Sequence, residues 1–80
     1  MSLRQMPSFE DSVSVVEIQA EIRLRTAGRV RNLRVYRTAD ELVLTGTSGT
    51  FYAKQLAQHA ALELEPDVRL VNEITVGDPD

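Results

Sequence analysis

A chain of 80 residues, 42% of them hydrophobic, suffices for one domain but leaves no room for a deep cleft, since a domain this size buries only roughly 60 to 65% of its unfolded surface. The absence of Cys and Trp, with His59 as the one imidazole, excludes a disulfide frame and a set of soft metal ligands, so the core must form by packing alone. The net charge of -3 hides an uneven layout: Arg23, Arg25, Arg29, Arg31, Arg34 and Arg37 fall in a run that no Asp or Glu interrupts from Ile22 to Ala39, leaving the remaining chain strongly acidic.

Residues 1–11 show no period and read as a flexible leader. The first twenty residues lack a basic start followed by a continuous apolar segment, so neither a signal peptide nor a membrane span is expected. Ser12 stands where an N-cap would, opening a single domain over residues 12–77. From Val13 to Ala27 apolar residues alternate as in a strand and also form two helical stripes, Val15, Ile18, Ile22 and Val16, Ala20, Leu24, Ala27. Length favours a helix, with Gly28 as its C-cap glycine and Glu21 four residues before Arg25 as a supporting pair. The double stripe predicts that the second face also touches something.

Val30 to Arg37 places Leu33 and Val35 opposite Arg34 and Tyr36, and a short turn from Thr38 leads into Leu42 to Thr45, which reads as a hairpin. Thr50 to Glu65 is the clearest helix, with Ala53, Leu56, Ala57, Ala60, Ala61 and Leu64 spaced by three and four before Pro66 closes it. Val68 to Val76 is a last strand, and residues 78–80 form a tail. This order predicts an α+β fold, a two-layer αββαβ sandwich whose three-stranded sheet is covered on one face by two helices. Leu33, Val35, Leu42, Leu44, Ile74 and Val76 would face the helices. Arg34, Tyr36, Val43, Thr45, Val71, Glu73 and Thr75 would form a half-apolar open face.

The glycines of "LVLTGTSGTFYAK" raise and fail the phosphate-loop reading, because Thr50 follows Gly49 directly and Lys54 lies a turn inside the next helix. "GTSG" is literally G-x-x-G, but it joins a strand to a helix and carries no charge, unlike the nucleic-acid clamp of KH domains. The plainer account is that Gly46 is a structural turn at a strand end where a Cβ would clash, and that Ser48 or Thr50 caps the helix.

The segment from Leu42 to Val76 resembles the second half of a BON domain (bacterial OsmY and nodulation domain family). The matching pattern is a strand ending L-x-G at Leu44 and Gly46, a helix spaced by Ala57, Ala61 and Leu64, and a strand carrying Val68, Val71, Asn72, Ile74 and Val76. Leu33, Val35 and the leading helix extend the match over residues 13–76. It departs at Pro66, Asp67 and Val68, where many members have Pro-Gly-Val. The resemblance implies a non-catalytic role, with docking on phospholipid surfaces or partner proteins in the bacterial envelope or periplasm, in osmotic-stress and secretin-type settings.

The six arginines are candidate contacts for an anionic phospholipid surface, their bland alternative being a solvated rim that keeps the domain soluble. Tyr36, Val43 and Val71 on the open face, or Val16, Ala20 and Leu24 on the first helix, are candidate contacts for another protein domain or for weak self-association. No catalytic residues, metal or cofactor are assigned: His59 lacks a second ligand, and no nucleophile elbow supports a triad with Ser14 or Ser48. The acidic total charge argues against nucleic acid. Asn72 reads as a hydrogen-bonding residue within the fold.

Overall fold

The computed structural model describes residues 14–77, in which the chain runs through helix α1 (Val15–Arg25), strand β1 (Val30–Arg37), strand β2 (Glu41–Ser48), helix α2 (Phe51–Leu64) and strand β3 (Arg69–Val76). The leader at 1–11, Ser12 as a cap and the tail at 78–80 lie outside the described residues. The sheet has the order β1-β2-β3, with β1 antiparallel to β2 and β2 parallel to β3. A parallel neighbour needs a crossover, which α2 supplies. Both helices pack on one face, forming the expected two-layer αββαβ sandwich.

Helix α1 starts at Ser14, whose hydroxyl accepts a 3.1 Å bond from the Glu17 N–H, two residues later than a Ser12 cap would start it. At its other end the Ala27 N–H donates to the Leu24 carbonyl and the Gly28 N–H to the Arg23 carbonyl, both at 3.1 Å, the paired bonds of a Schellman motif. The left-handed position of that motif is filled by Ala27 at φ 54, and Gly28 at φ 73 comes one residue later. Gly28 is therefore not the capping residue that its type suggests. The stripe of Ile18 and Ile22 is fully buried, with Val15 packed beside it.

Strand β1 carries a bulge. Arg31 pairs with Thr47 and Arg34 with Thr45, so Asn32 and Leu33 together stand opposite Gly46. Asn32 absorbs the extra residue at φ 55, which a short polar side chain tolerates. Gly46 lies at φ 147, and a Cβ there would sit 2.9 Å from the Arg31 carbonyl oxygen and from Val30 Cγ1. Gly46 is thus not a turn: β2 continues through it to Ser48, and the missing side chain makes space for the bulge.

Helix α2 begins at Thr50, whose hydroxyl accepts from the Ala53 N–H at 3.1 Å, while buried Ser48 donates to the Thr50 carbonyl at 2.8 Å. Ala53, Ala57, Ala60 and Ala61 are fully buried, so the helix backbone approaches the sheet and α1 closely, and Leu42, Leu44 and Ile74 fill the space from the other side. Val76, expected in this core, is 40% exposed, because it ends β3 beside Gly77, past the cluster that covers Ile74. Asn72 ties the last strand to α2: its Nδ2 donates to the Lys54 carbonyl at 3.1 Å and to Gln58 Oε1 at 3.3 Å. Its Oδ1 also accepts from the Ile74 N–H at 3.2 Å, and on the opposite outer strand Gln19 Oε1 accepts from the Val35 N–H at 3.0 Å. Each outer strand thus has a backbone donor taken by a side chain, which blunts it as a template for another strand.

Two stability measurements test this local reading. Gly46→Ala should lower the unfolding free energy by roughly 2 kcal/mol or more in urea denaturation, since it combines a glycine-favouring φ with contact against backbone. Ala27→Gly should raise it by about 1 kcal/mol, by relieving an L-residue of the left-handed conformation.

Candidate docking surface

The six arginines of the acid-free run divide into two groups. Arg25 donates from Nε to Glu21 Oε2 at 2.9 Å and from Nη1 to Glu63 Oε1 at 2.7 Å. The hydrogen bond that Arg25 donates to Glu63, then that to Glu21, raises its guanidinium pKa above the ordinary arginine value. Arg37 grips Glu65 through two bonds of 3.0 and 2.8 Å, and the hydrogen bond to Glu65 likewise raises its pKa. Glu63 and Glu65 come from the end of α2, far along the chain, so the acid-free window in sequence is not acid-free in space.

Arg23, Arg29, Arg31 and Arg34 are exposed and have no carboxylate partner among the described residues. Arg23 sits in the last turn of α1, Arg29 just before β1, and Arg31 and Arg34 on β1. The bulge matters here. Two residues occupy one register step, so Arg31 and Arg34, three apart in sequence, pair with Thr47 and Thr45 and share the open face of the sheet. Across that face, Arg34, Thr45 and Glu73 form one row, and Tyr36, Val43 and Val71 form the next.

Of the expected protein-contact residues on this face, Tyr36 is 47% exposed and Val71 half-buried, but Val43 is only 4% exposed. Val43 lies on the central strand between Tyr36 and Val71, and these flanking side chains cover it, so it is not available to a partner. The second stripe of α1 is open instead: Val16 and Leu24 are each 74% exposed, with Ala20 between them. Ala20 and Leu24 border a shallow depression shared with Glu17, Glu21 and Leu64. A second depression is lined by residues 64–68, and both are open to solvent.

Sequence reasoning missed Phe51 and Tyr52, 59% and 60% exposed in the first turn of α2. The signal was present. Phe51 is followed at three and four residues by Lys54 and Gln55, the polar side of the helix, whereas the buried stripe begins at Ala53. Among the described residues no group of three His, Cys, Asp or Glu is placed to hold a metal ion, and no helix is long and apolar enough to cross a membrane. His59 is exposed on α2. No protein-family model, curated protein or solved structure matches the chain.

The division of the arginines is open to a denaturation experiment. Arg37→Gln should cost up to about 1 kcal/mol by leaving the mostly covered Glu65 carboxylate without its fork, while Arg29→Gln and Arg31→Gln should stay within roughly 0.5 kcal/mol of the parent chain.

Proposed function

We propose that this domain is a non-catalytic, BON-like binding module that docks on anionic phospholipid surfaces of the bacterial cell envelope. The observation that carries the reading is the set of exposed arginines, Arg23, Arg29, Arg31 and Arg34, which have no carboxylate partner among the described residues, while Arg25 and Arg37 are tied into the fold. Basic side chains held near an anionic headgroup layer each contribute about 1 kcal/mol, which salt screens. The resemblance of residues 13–76 to BON domains points the same way.

A second reading has its own support. The exposed stripe of Val16, Ala20 and Leu24 suits docking by another protein domain or by a second copy of the chain. Light scattering across a concentration series separates the two, because self-association through α1 raises the average mass without lipid and Leu24→Glu abolishes the rise.

Co-sedimentation with vesicles tests the phospholipid reading. Binding should be stronger to vesicles containing phosphatidylglycerol than to pure phosphatidylcholine and should weaken as salt rises. Arg29→Gln and Arg31→Gln should each reduce binding about fivefold at low salt, whereas Arg25→Gln should leave it nearly unchanged. Equal binding to both vesicle types, or none to either, would rule the proposal out.

A further inference from the structure

We infer that Phe51 and Tyr52 form an interfacial wedge that enters the headgroup layer of an anionic phospholipid bilayer, so that the domain stands end-on rather than lying on its open sheet face. The inference rests on the phospholipid reading and adds the contact element and the orientation.

The first support is where the aromatic residues stand. The buried core is made of Ile, Val, Leu and Ala, while all three aromatic residues among the described ones, Tyr36, Phe51 and Tyr52, are about half exposed or more. Aromatic rings carry the largest apolar area a side chain can bury, and Tyr adds a polar tip suited to a boundary with water on one side. Phe51 and Tyr52 are adjacent and in the first helical turn, where a tight cap fixes the backbone that presents them.

The second support is charge. Val30, Ser48 and Val76 form one row across the strand ends, and the Gly77 N–H donates to the Ser48 carbonyl at 2.9 Å. Phe51 follows Ser48 by a reach of at most ~10 Å, and neighbouring strands lie ~4.8 Å apart, so Arg29, Arg31, Phe51, Tyr52 and Val76 gather at one end of the sheet. Residues 29–33, 46–56 and 74–77, which build that end, contain no Asp or Glu and include Arg29, Arg31 and Lys54, and the next row inward sets Arg34 and Glu73 on either side of Thr45. The opposite end, at the hairpin and the close of α2, carries Asp40, Glu41, Glu65 and Asp67 against Arg69, which pairs with Glu41 in the sheet register, and Arg37, which is held by Glu65. An anionic surface attracts the first end and repels the second, and this couple turns the aromatic pair toward the headgroups.

The test uses the whole chain with vesicles of phosphatidylglycerol and phosphatidylcholine. Asp78 and Asp80 follow Gly77 in sequence, outside the described residues, so each measurement is made in the parent chain and in an Asp78→Asn, Asp80→Asn background. Phe51→Ala and Tyr52→Ala should each lower the partition coefficient roughly five- to tenfold, with the circular dichroism spectrum and urea midpoint unchanged. The chain has no Trp, so Phe51→Trp provides a unique reporter, whose emission should shift to the blue on vesicles and be quenched by brominated acyl chains. Salt-sensitive binding of the parent chain that Phe51→Ala and Tyr52→Ala leave intact, or an unshifted Trp emission on bound vesicles, overturns the wedge while leaving the phospholipid reading in place. Absence of binding by the parent chain in either background overturns both. Concentration-dependent assembly without lipid that Phe51→Ala abolishes assigns the pair to a protein contact and overturns the wedge as well.

Discussion

The close approach of β1 and β2 at Gly46 sets the faces of the sheet. Two residues of β1, Asn32 and Leu33, share the register step opposite this one glycine, and no side chain fits between the strands there. The bulge shifts the alternation of β1 by one. Val30 faces the helices ahead of it, and Leu33 and Val35 face them after it, a pattern that an unbroken strand with side chains alternating every residue cannot produce. The same shift puts Arg31 and Arg34 on the opposite face. The hydrophobic core and the cationic surface are therefore products of one irregularity, and the glycine that permits it belongs to both.

The layer above the sheet follows a complementary logic. Four fully buried alanines on α2 give little apolar area themselves, but they let the helix backbone come close, so that α2 together with Ile18 and Ile22 of α1 covers Leu42, Leu44 and Ile74 completely. That geometry has no place for a ring in the core, and the aromatic side chains of the described residues stand outside. Charge is sorted in a similar way. The acidic end of α2 supplies Glu63 and Glu65 to Arg25 and Arg37, one bridging two helices and the other joining a helix to the sheet. Arg23, Arg29, Arg31 and Arg34 have no carboxylate partner among the described residues.

Element order and type were legible in the sequence because each rests on short-range periodicity: the alanine stripe of α2, the alternation around Leu33 and Val35, and the alternation in β3. Local chemistry was less so where two residues of similar character compete. Ser12 and Ser14 both suit a cap, and the structure uses Ser14. Gly28 and Ala27 compete for the left-handed site, and the hydrogen bonds that end the helix at Thr26 place Ala27 there despite its Cβ. Gly46 before two polar residues looks like a turn, and only its opposition to a bulge on another strand gives its role. Strand order, the burial of Val43 by its cross-strand neighbours and the pairing of Arg25 and Arg37 depend on contacts between distant segments, which periodicity does not encode. Phe51 and Tyr52 were readable in principle, since they precede the buried stripe and lead into its polar side.

What joins these features is direction along the strands. A three-stranded sheet with one crossover helix has two unlike ends, one made by the hairpin and the close of α2, the other by the strand termini and the start of α2. Among the described residues the first end holds Asp40, Glu41, Glu65 and Asp67 against Arg37 and Arg69, and the second holds Arg29, Arg31 and Lys54 with no carboxylate, beside exposed rings. A domain with few described charges in excess of either sign can still be strongly polar when its cations and anions are separated by the length of a strand, and such a molecule responds to a charged surface by turning as well as by approaching. Orientation is then set by the fold itself. On the proposed phospholipid surface, the short-range attraction of apolar rings for the interface would act only after that turn had brought them forward, so the long-range and short-range terms would act in sequence on the same end of the molecule.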